Sequence, residues 1–160
     1  MPNGFPARVR IYEVGPRDGL QNEAHPLDTD TKLGYIERLV ATGLREIEAT
    51  SFVSPRAIPQ LADADALLLR LPHGDGVRYP ALVPNMRGME RAISAGATAI
   101  AVFTAASDAF TEANIGMSVD SSLEAFRPVL AEAARRGVWT RAYVSTAFGR
   151  PFRRQRHRNS

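Results

Sequence analysis

The stretch Glu13-Val14-Gly15-Pro16-Arg17-Asp18-Gly19-Leu20-Gln21 decides the fold. It closes an apolar run, Val9 to Val14, that predicts a buried strand. Gly15-Pro16 ends that strand, because proline lacks the N–H a sheet ladder needs. Arg17 and Asp18 then place a fixed cation beside a carboxylate, and Gly19 is expected to permit a backbone turn that other residues resist. An Arg-Asp pair at the carboxyl end of a strand lies where parallel α/β folds carry their chemistry.

Working outward, strands and helices alternate. Asp28 or Thr29 caps a helix whose apolar face is Leu33, Ile36, Leu39 and Val40, ended by Gly43 as a left-handed cap. A second strand spans Arg45 to Thr50, and a polar, proline-containing loop covers residues 51–60. Leu61 to Leu71 predict helix two, Tyr79 to Val83 strand three, and Arg87 to Ala95 helix three. Ala99 to Thr104 is nearly continuous apolar sequence, as in a parallel strand covered on both faces. Residues 108–117 read as a loop. Helix four lies within Val119 to Arg136, with Ser121 and Glu124 as a capping box. Pro128 inside it predicts a kink or a late start. Strand five runs from Trp139 to Val144. This alternation predicts a parallel sheet with right-handed crossovers. The pattern leaves an open doubly wound sheet and a barrel undivided, but no glycine-rich phosphate loop follows any strand.

The 160 residues suffice for one domain with a core, and 44% hydrophobic with 23% charged residues is ordinary for a globular protein. No apolar run approaches the roughly 18 residues of a membrane span. No basic segment followed by an apolar one opens the chain, so a cytoplasmic location and no membrane partner are expected. With no cysteine, neither disulfides nor thiolate chemistry is available. The net charge of +3 is misleading. Arg150, Arg153, Arg154, Arg156 and Arg158 concentrate in the last eleven residues and exceed it, so the body is mildly acidic. Lys32 is the only lysine.

Gly15-Pro16-Arg17-Asp18-Gly19-Leu20-Gln21-Asn22-Glu23 resembles the first-strand signature of hydroxymethylglutaryl-CoA lyase, a member of the metal-dependent barrel enzymes that include isopropylmalate and homocitrate synthases. Two further stretches resemble the lyase in particular: Glu48 to Pro55 followed by Pro59-Gln60, and Tyr79-Pro80-Ala81-Leu82-Val83-Pro84-Asn85. The resemblance runs from about Val9 to about Gly149. It implies a partial (β/α)8 TIM barrel, about the first five strands and four helices. A complete barrel needs roughly 250 residues.

Residues 1–149 are therefore expected to be the amino-terminal part of a barrel domain. Residues 150–160 form an irregular Arg-rich tail that does not look like the family's continuation. A shifted reading frame or a truncated gene is the expectation for that tail, with a genuine basic tail as the alternative.

The resemblance also implies an activity, cleavage of 3-hydroxy-3-methylglutaryl-CoA to acetyl-CoA and acetoacetate, a step of leucine degradation and ketone-body formation. It implies an acyl-CoA substrate and a divalent cation, Mg²⁺ or Mn²⁺, which suit oxygen-rich ligation. Asp18 matches the family's metal-ligating Asp, where spacing alone favours an Asx-turn residue. Arg17 matches the catalytic Arg, which stabilises an enolate through its fixed charge; a salt-bridged structural Arg is the alternative. Glu48 matches the Glu that holds this Arg, against a solvated strand-end charge. Gln21 lies near the site by its motif position. Ser51, Asn114 and Ser118 sit at expected strand-end loops where they contact the CoA arm or serve as loop and capping residues.

The family's His-x-His ligand pair and late catalytic Cys are missing, and His25, His73 and His157 take no assigned role. An incomplete, inactive fragment is therefore expected. The alternatives are a related acyl-CoA-using synthase of the isopropylmalate or citramalate type and a non-catalytic fragment. Nucleic-acid binding by the arginine tail is disfavoured, because Phe152 is its lone aromatic and no recognition module accompanies it. A homo-oligomer is compatible with the parent family.

Overall fold

Parallel pairing organises the chain. The computed structural model describes residues 4 and 6–149, so the arginine tail expected at 150–160 lies outside the described residues. Among these described residues four strands, β1 (Thr50–Ser51), β2 (Ala81–Leu82), β3 (Ala99–Ala105) and β4 (Trp139–Ser145), lie side by side in sequence order. Each pairs in parallel with the next, in a register that sets Thr50 against Ala81, Ala81 against Ile100 and Ala99 against Trp139. The expected first strand adds a fifth position. Glu13 bridges Ile47 in parallel, donating its N–H to the Glu46 carbonyl at 2.9 Å and accepting from the Glu48 N–H at 2.8 Å.

That first segment is not the buried strand its apolar run predicts. It makes a single bridge, and Val9 and Ile11 are 76% and 65% exposed. The reason is its place at the sheet edge, where no described helix covers it.

Among the described residues there are five α-helices: α1 (Thr29–Ala41), α2 (Ala64–Arg70), α3 (Met86–Ser94), α4 (Asp108–Ile115) and α5 (Val119–Arg136). Asp28 caps α1 by accepting from the Thr31 N–H at 2.8 Å, and Asn85 caps α3 by accepting from Gly88 at 3.0 Å. Residues 108–117, read as a loop, instead form α4. Ser107 stands at its N-cap, Asp108 in its first turn, and Gly116 ends it in the left-handed region at φ 71°. The cap of α5 is Ser118, whose Oγ accepts from the Ser121 N–H at 3.1 Å, not a Ser121–Glu124 box. The helix starts at Val119 and runs on through Pro128, so there is no late start. Helix two divides into a 3-10 turn over Pro59–Leu61 and then α2.

The helices pack in chain order, α1 on α2, α2 on α3 and α3 on α5, against one face of the sheet. Alternation along the strands explains the two faces. Ile47, Val83, Ile100 and Val102 join Ile36, Leu67, Met89 and Val129 in the core under the helices. The residues between them, including Glu46, Glu48, Arg78, Arg141 and Tyr143, form a polar inner face. Lys32 anchors α1 from within: it is 2% exposed, and its Nζ donates to the Gln60 carbonyl at 2.7 Å and to Asp63.

Candidate active site

The signature turn forms a π-helical turn over Gly15–Gly19, held by the N–H groups of Arg17 and Asp18 on the Val14 carbonyl. Such turns interrupt regular backbone where a side chain must be aimed. The tight glycine is Gly15, not Gly19. A Cβ on Gly15 would lie 2.7 Å from Tyr35 Oη and 2.8 Å from Glu13 Oε1, whereas one on Gly19 would meet nothing within 4 Å and needs no positive φ. Gln60 then ties the motif loop down by donating to the Glu23 carbonyl at 2.9 Å.

Glu48 is the centre of the site. It is fully buried, which excludes the solvated strand-end alternative. Arg17 Nε donates to Glu48 Oε1, while Tyr12 Oη and Tyr143 Oη both donate to Oε2, at 3.0 and 2.5 Å. One carboxylate thus accepts from the first strand segment, the signature turn and β4. The two phenols fix the carboxylate plane, and Oε1 is left to orient the guanidinium.

Arg17 is itself 9% exposed, and its Nη1 donates to Asp18 Oδ1 at 2.6 Å. The Asp18 side chain is 55% exposed and opens to solvent at the strand end. Burial, reinforced by the Glu48 carboxylate, pushes the Tyr12 phenol far above its ordinary range, and burial with the Glu48 hydrogen bond pushes Tyr143 up to about 12. Both phenols therefore stay protonated donors at neutral pH. Arg141 stacks its guanidinium 4.1 Å from the Tyr12 ring centre and 5.1 Å from that of Tyr143.

The other expected site residues are placed differently. Gln21 is half-buried just after the signature turn. Ser51 is buried in β1, where its Oγ donates to the Leu82 carbonyl and accepts from the Val53 N–H, both at 3.3 Å. Asn114 is exposed in the last turn of α4, not in a loop. Ser118 is the α5 cap. Tyr12 and Tyr143 escaped the sequence reading. The faint signal was Tyr143 sharing strand parity with Trp139 and Arg141, the face opposite the helices.

Among the described residues, no three His, Cys, Asp or Glu side chains come together to hold a metal ion. Asp18 offers one carboxylate, already accepting from Arg17. A hard divalent cation takes about six oxygen donors or more, so the residues present do not make a metal centre by themselves. No described helix is long and apolar enough to cross a membrane.

The HMGL-like family model matches residues 8–152. The chain belongs to the HMGL-like family. Among HMGL-like relatives, hydroxymethylglutaryl-CoA lyase of Pseudomonas mevalonii is 53% identical over 144 residues, covering 90% of this chain and 48% of that protein. The cytoplasmic 3-hydroxy-3-methylglutaryl-CoA lyase of Rattus norvegicus is 48% identical over 150 residues, covering 94% and 44%. A crystal structure of the Pseudomonas aeruginosa lyase superposes with a TM-score of 0.86 at 45% identity, covering 92% of this chain and 49% of that one. This HMGL-like chain therefore spans about half the length of the curated relatives it matches. Its sheet corresponds to part of a TIM barrel, with Arg17 and Asp18 in the turn after the first strand segment and Glu48 two residues before β1.

Proposed function

We propose that this chain carries the Arg17–Asp18–Glu48 part of a hydroxymethylglutaryl-CoA lyase site. In a complete barrel this site cleaves 3-hydroxy-3-methylglutaryl-CoA to acetyl-CoA and acetoacetate, in leucine degradation and ketone-body formation. The observation that supports this best is the buried Arg17–Glu48 pair beside a solvent-facing Asp18, in a sequence 53% identical to a lyase of that name.

In the reaction the substrate's tertiary hydroxyl loses its proton. The carbon–carbon bond to the acetyl-CoA half breaks, and its electron pair passes into the thioester as an enolate, which is then protonated. The hydroxyl carbon becomes the ketone of acetoacetate. Arg17 is fitted to the enolate. Glu48 occupies its Nε and Asp18 accepts from its Nη1, so the outer edge of the guanidinium is held at the rim in a setting of low dielectric, where a fixed charge acts most strongly.

Mg²⁺ or Mn²⁺, when bound, supplies Lewis-acid stabilisation of the substrate oxygens, and Asp18 is the one carboxylate here that would hold it. Gln21, Ser51 and Asn114 are assigned to the substrate and its CoA arm. A solved relative from Acinetobacter baumannii, 35% identical, is a complex with coenzyme A and 3-methylmalate, which supports an acyl-CoA substrate. The lyase relatives favour this reading over the acyl-CoA synthase. We assign the chain to the cytoplasm, one of the two locations its relatives' names carry.

The test is a chimaera joining residues 1–149 to the remainder of the Pseudomonas mevalonii lyase. Acetoacetate release that depends on divalent cation is expected, and Arg17→Gln and Asp18→Asn each abolish it without changing the circular dichroism. A folded chimaera that binds CoA thioester but releases no acetoacetate refutes the proposal. The 160-residue chain alone is expected to show no turnover.

A further inference from the structure

We infer that Gln60 is a positioning residue for the signature turn. Seated by the buried Lys32 ammonium, its side chain fixes the loop that leaves the turn and, through that loop, the backbone of Asp18.

The turn is joined to its loop by local hydrogen bonds. Asn22 Nδ2 donates to the Asp18 carbonyl at 2.7 Å. The N–H groups of Asn22 and Glu23 donate to the Gly19 and Leu20 carbonyls at 3.1 and 3.2 Å. Residues 18–23 are thus tied into one piece. From Asn22 to Asp28, where α1 is capped, the chain is exposed throughout. Among the described residues, the bond from Gln60 Nε2 to the Glu23 carbonyl is the one hydrogen bond that joins residues 21–27 to another element.

One exposed hydrogen bond between two mobile segments would hold little, because ordering both ends offsets its small net gain. Here the donor's backbone is already fixed. Pro59 stiffens the chain before it, and Leu61 is buried just after it. The N–H groups of Leu61 and Ala62 close the 3-10 turn on the Ile58 and Pro59 carbonyls. The Gln60 carbonyl accepts from Lys32 Nζ at 2.7 Å. Asp63 holds the same ammonium through one oxygen and accepts from Thr29 Oγ1 at 2.7 Å through the other. Gln60 is therefore pinned to α1 and to the turn before α2, and its side-chain torsions alone are ordered when the bond to Glu23 forms.

The two signature side chains need this support unequally. Arg17 is buried and held by Glu48. The Asp18 carboxylate faces solvent and is held by Arg17 Nη1 alone among the described side chains. Its placement therefore depends on the backbone beneath it, which Asn22 grips and Gln60 steadies from the core. A misplacement of about 1 Å at such a group costs up to about a hundredfold in rate.

Gln60→Met tests this, because it keeps the length and the backbone contacts and removes the donor. Amide hydrogen exchange in this chain, followed by NMR, should become about three- to tenfold faster at Asp18, Asn22 and Glu23, the factor set by one lost hydrogen bond. Gln60→Lys restores a donor of similar reach and should bring the rates back toward those of the unsubstituted chain. The functional arm rests on the lyase reading and uses the chimaera described above. There Gln60→Met should lower kcat about three- to tenfold at unchanged KM, because fewer turns are set for reaction while the grip on the CoA arm is kept. Val129→Ala, which hollows the core under α5, should lower stability and leave both the three amides and kcat unmoved. Unchanged exchange at the three amides, faster exchange with kcat unmoved, or the same effects from Val129→Ala overturns the inference. A chimaera inactive before any substitution refutes the lyase reading and not the role of Gln60, which the exchange rates then sustain or overturn by themselves.

Discussion

Removing the Glu48 carboxylate by Glu48→Ala should be among the most damaging single changes to this chain. It strands the Arg17 guanidinium, whose side chain is 11% exposed. Losing one member of a buried ion pair costs about 3–5 kcal/mol. Asp18 still accepts from Arg17 Nη1, which favours the lower end of that range. Tyr12 and Tyr143 each lose a hydrogen bond to the same carboxylate, worth about 1 kcal/mol apiece. The sum is about 5 kcal/mol, a third or more of the roughly 5–15 kcal/mol that holds a domain together. With a urea slope of about 2 kcal/mol per molar, the unfolding midpoint should fall by about 2.5 M. Equilibrium urea unfolding, followed by Trp139 fluorescence and far-ultraviolet circular dichroism together, measures this. The double variant Arg17→Met with Glu48→Leu should regain much of the loss, because an apolar pair no longer strands a charge. A midpoint shift below about 0.5 M for Glu48→Ala, or a double variant worse than the single one, would refute the reasoning.

Three other outcomes are expected. The folded Tyr143 phenol holds its proton more tightly than the unfolded one, about 12 against 10.0; its stabilisation is complete below about pH 10 and drains as pH rises through 12, so Tyr143→Phe should flatten the alkaline fall in urea stability between those values. Lys32→Met leaves Asp63 and the Gln60 carbonyl without their buried ammonium and should cost about 3 kcal/mol in the same assay. Hydrogen bonds from Arg135 and Arg136 hold the Glu132 carboxyl down to about 2 from the usual 4.5. Its small stabilisation is therefore present above 4.5 and lost as pH falls toward 2, and an NMR titration should show the value moving back toward 4.5 in high salt, because the cluster is exposed and screened.

The signature residues were legible because their chemistry is local. Arg17, Asp18 and the strand preceding them are contiguous, and the glycine and proline around them punctuate the backbone. The partners of Glu48 were not. Tyr143 reaches it from 95 residues away, a distance only the curvature of the sheet closes, and nothing in the sequence around either residue encodes that curvature. The first strand misled for a related reason. Val9 and Ile11 carry a buried-strand pattern, but burial depends on which layer lies over them, and that layer is not local. The helix at Asp108–Ile115 was missed because it is short and weakly amphipathic. Its signals are the Gly116 stop and an acidic first turn, which polar loops also show. Gly19 drew attention as the flexible glycine of the motif, yet the steric demand lies at Gly15, where Tyr35 and Glu13 close in from elements the motif does not contain.

The buried ion pair of Lys32 has a practical consequence. This ammonium belongs to the only lysine in the chain, and folding seals it between α1 and the turn before α2. Amine-acylating reagents therefore reach the chain's terminal amine but no side-chain amine while α1 is docked. They gain a second site, Lys32, the moment it lifts away. Brief exposure to such a reagent, followed by weighing the intact chain, would count single opening events at one defined seam and time them, with no probe engineered into the protein.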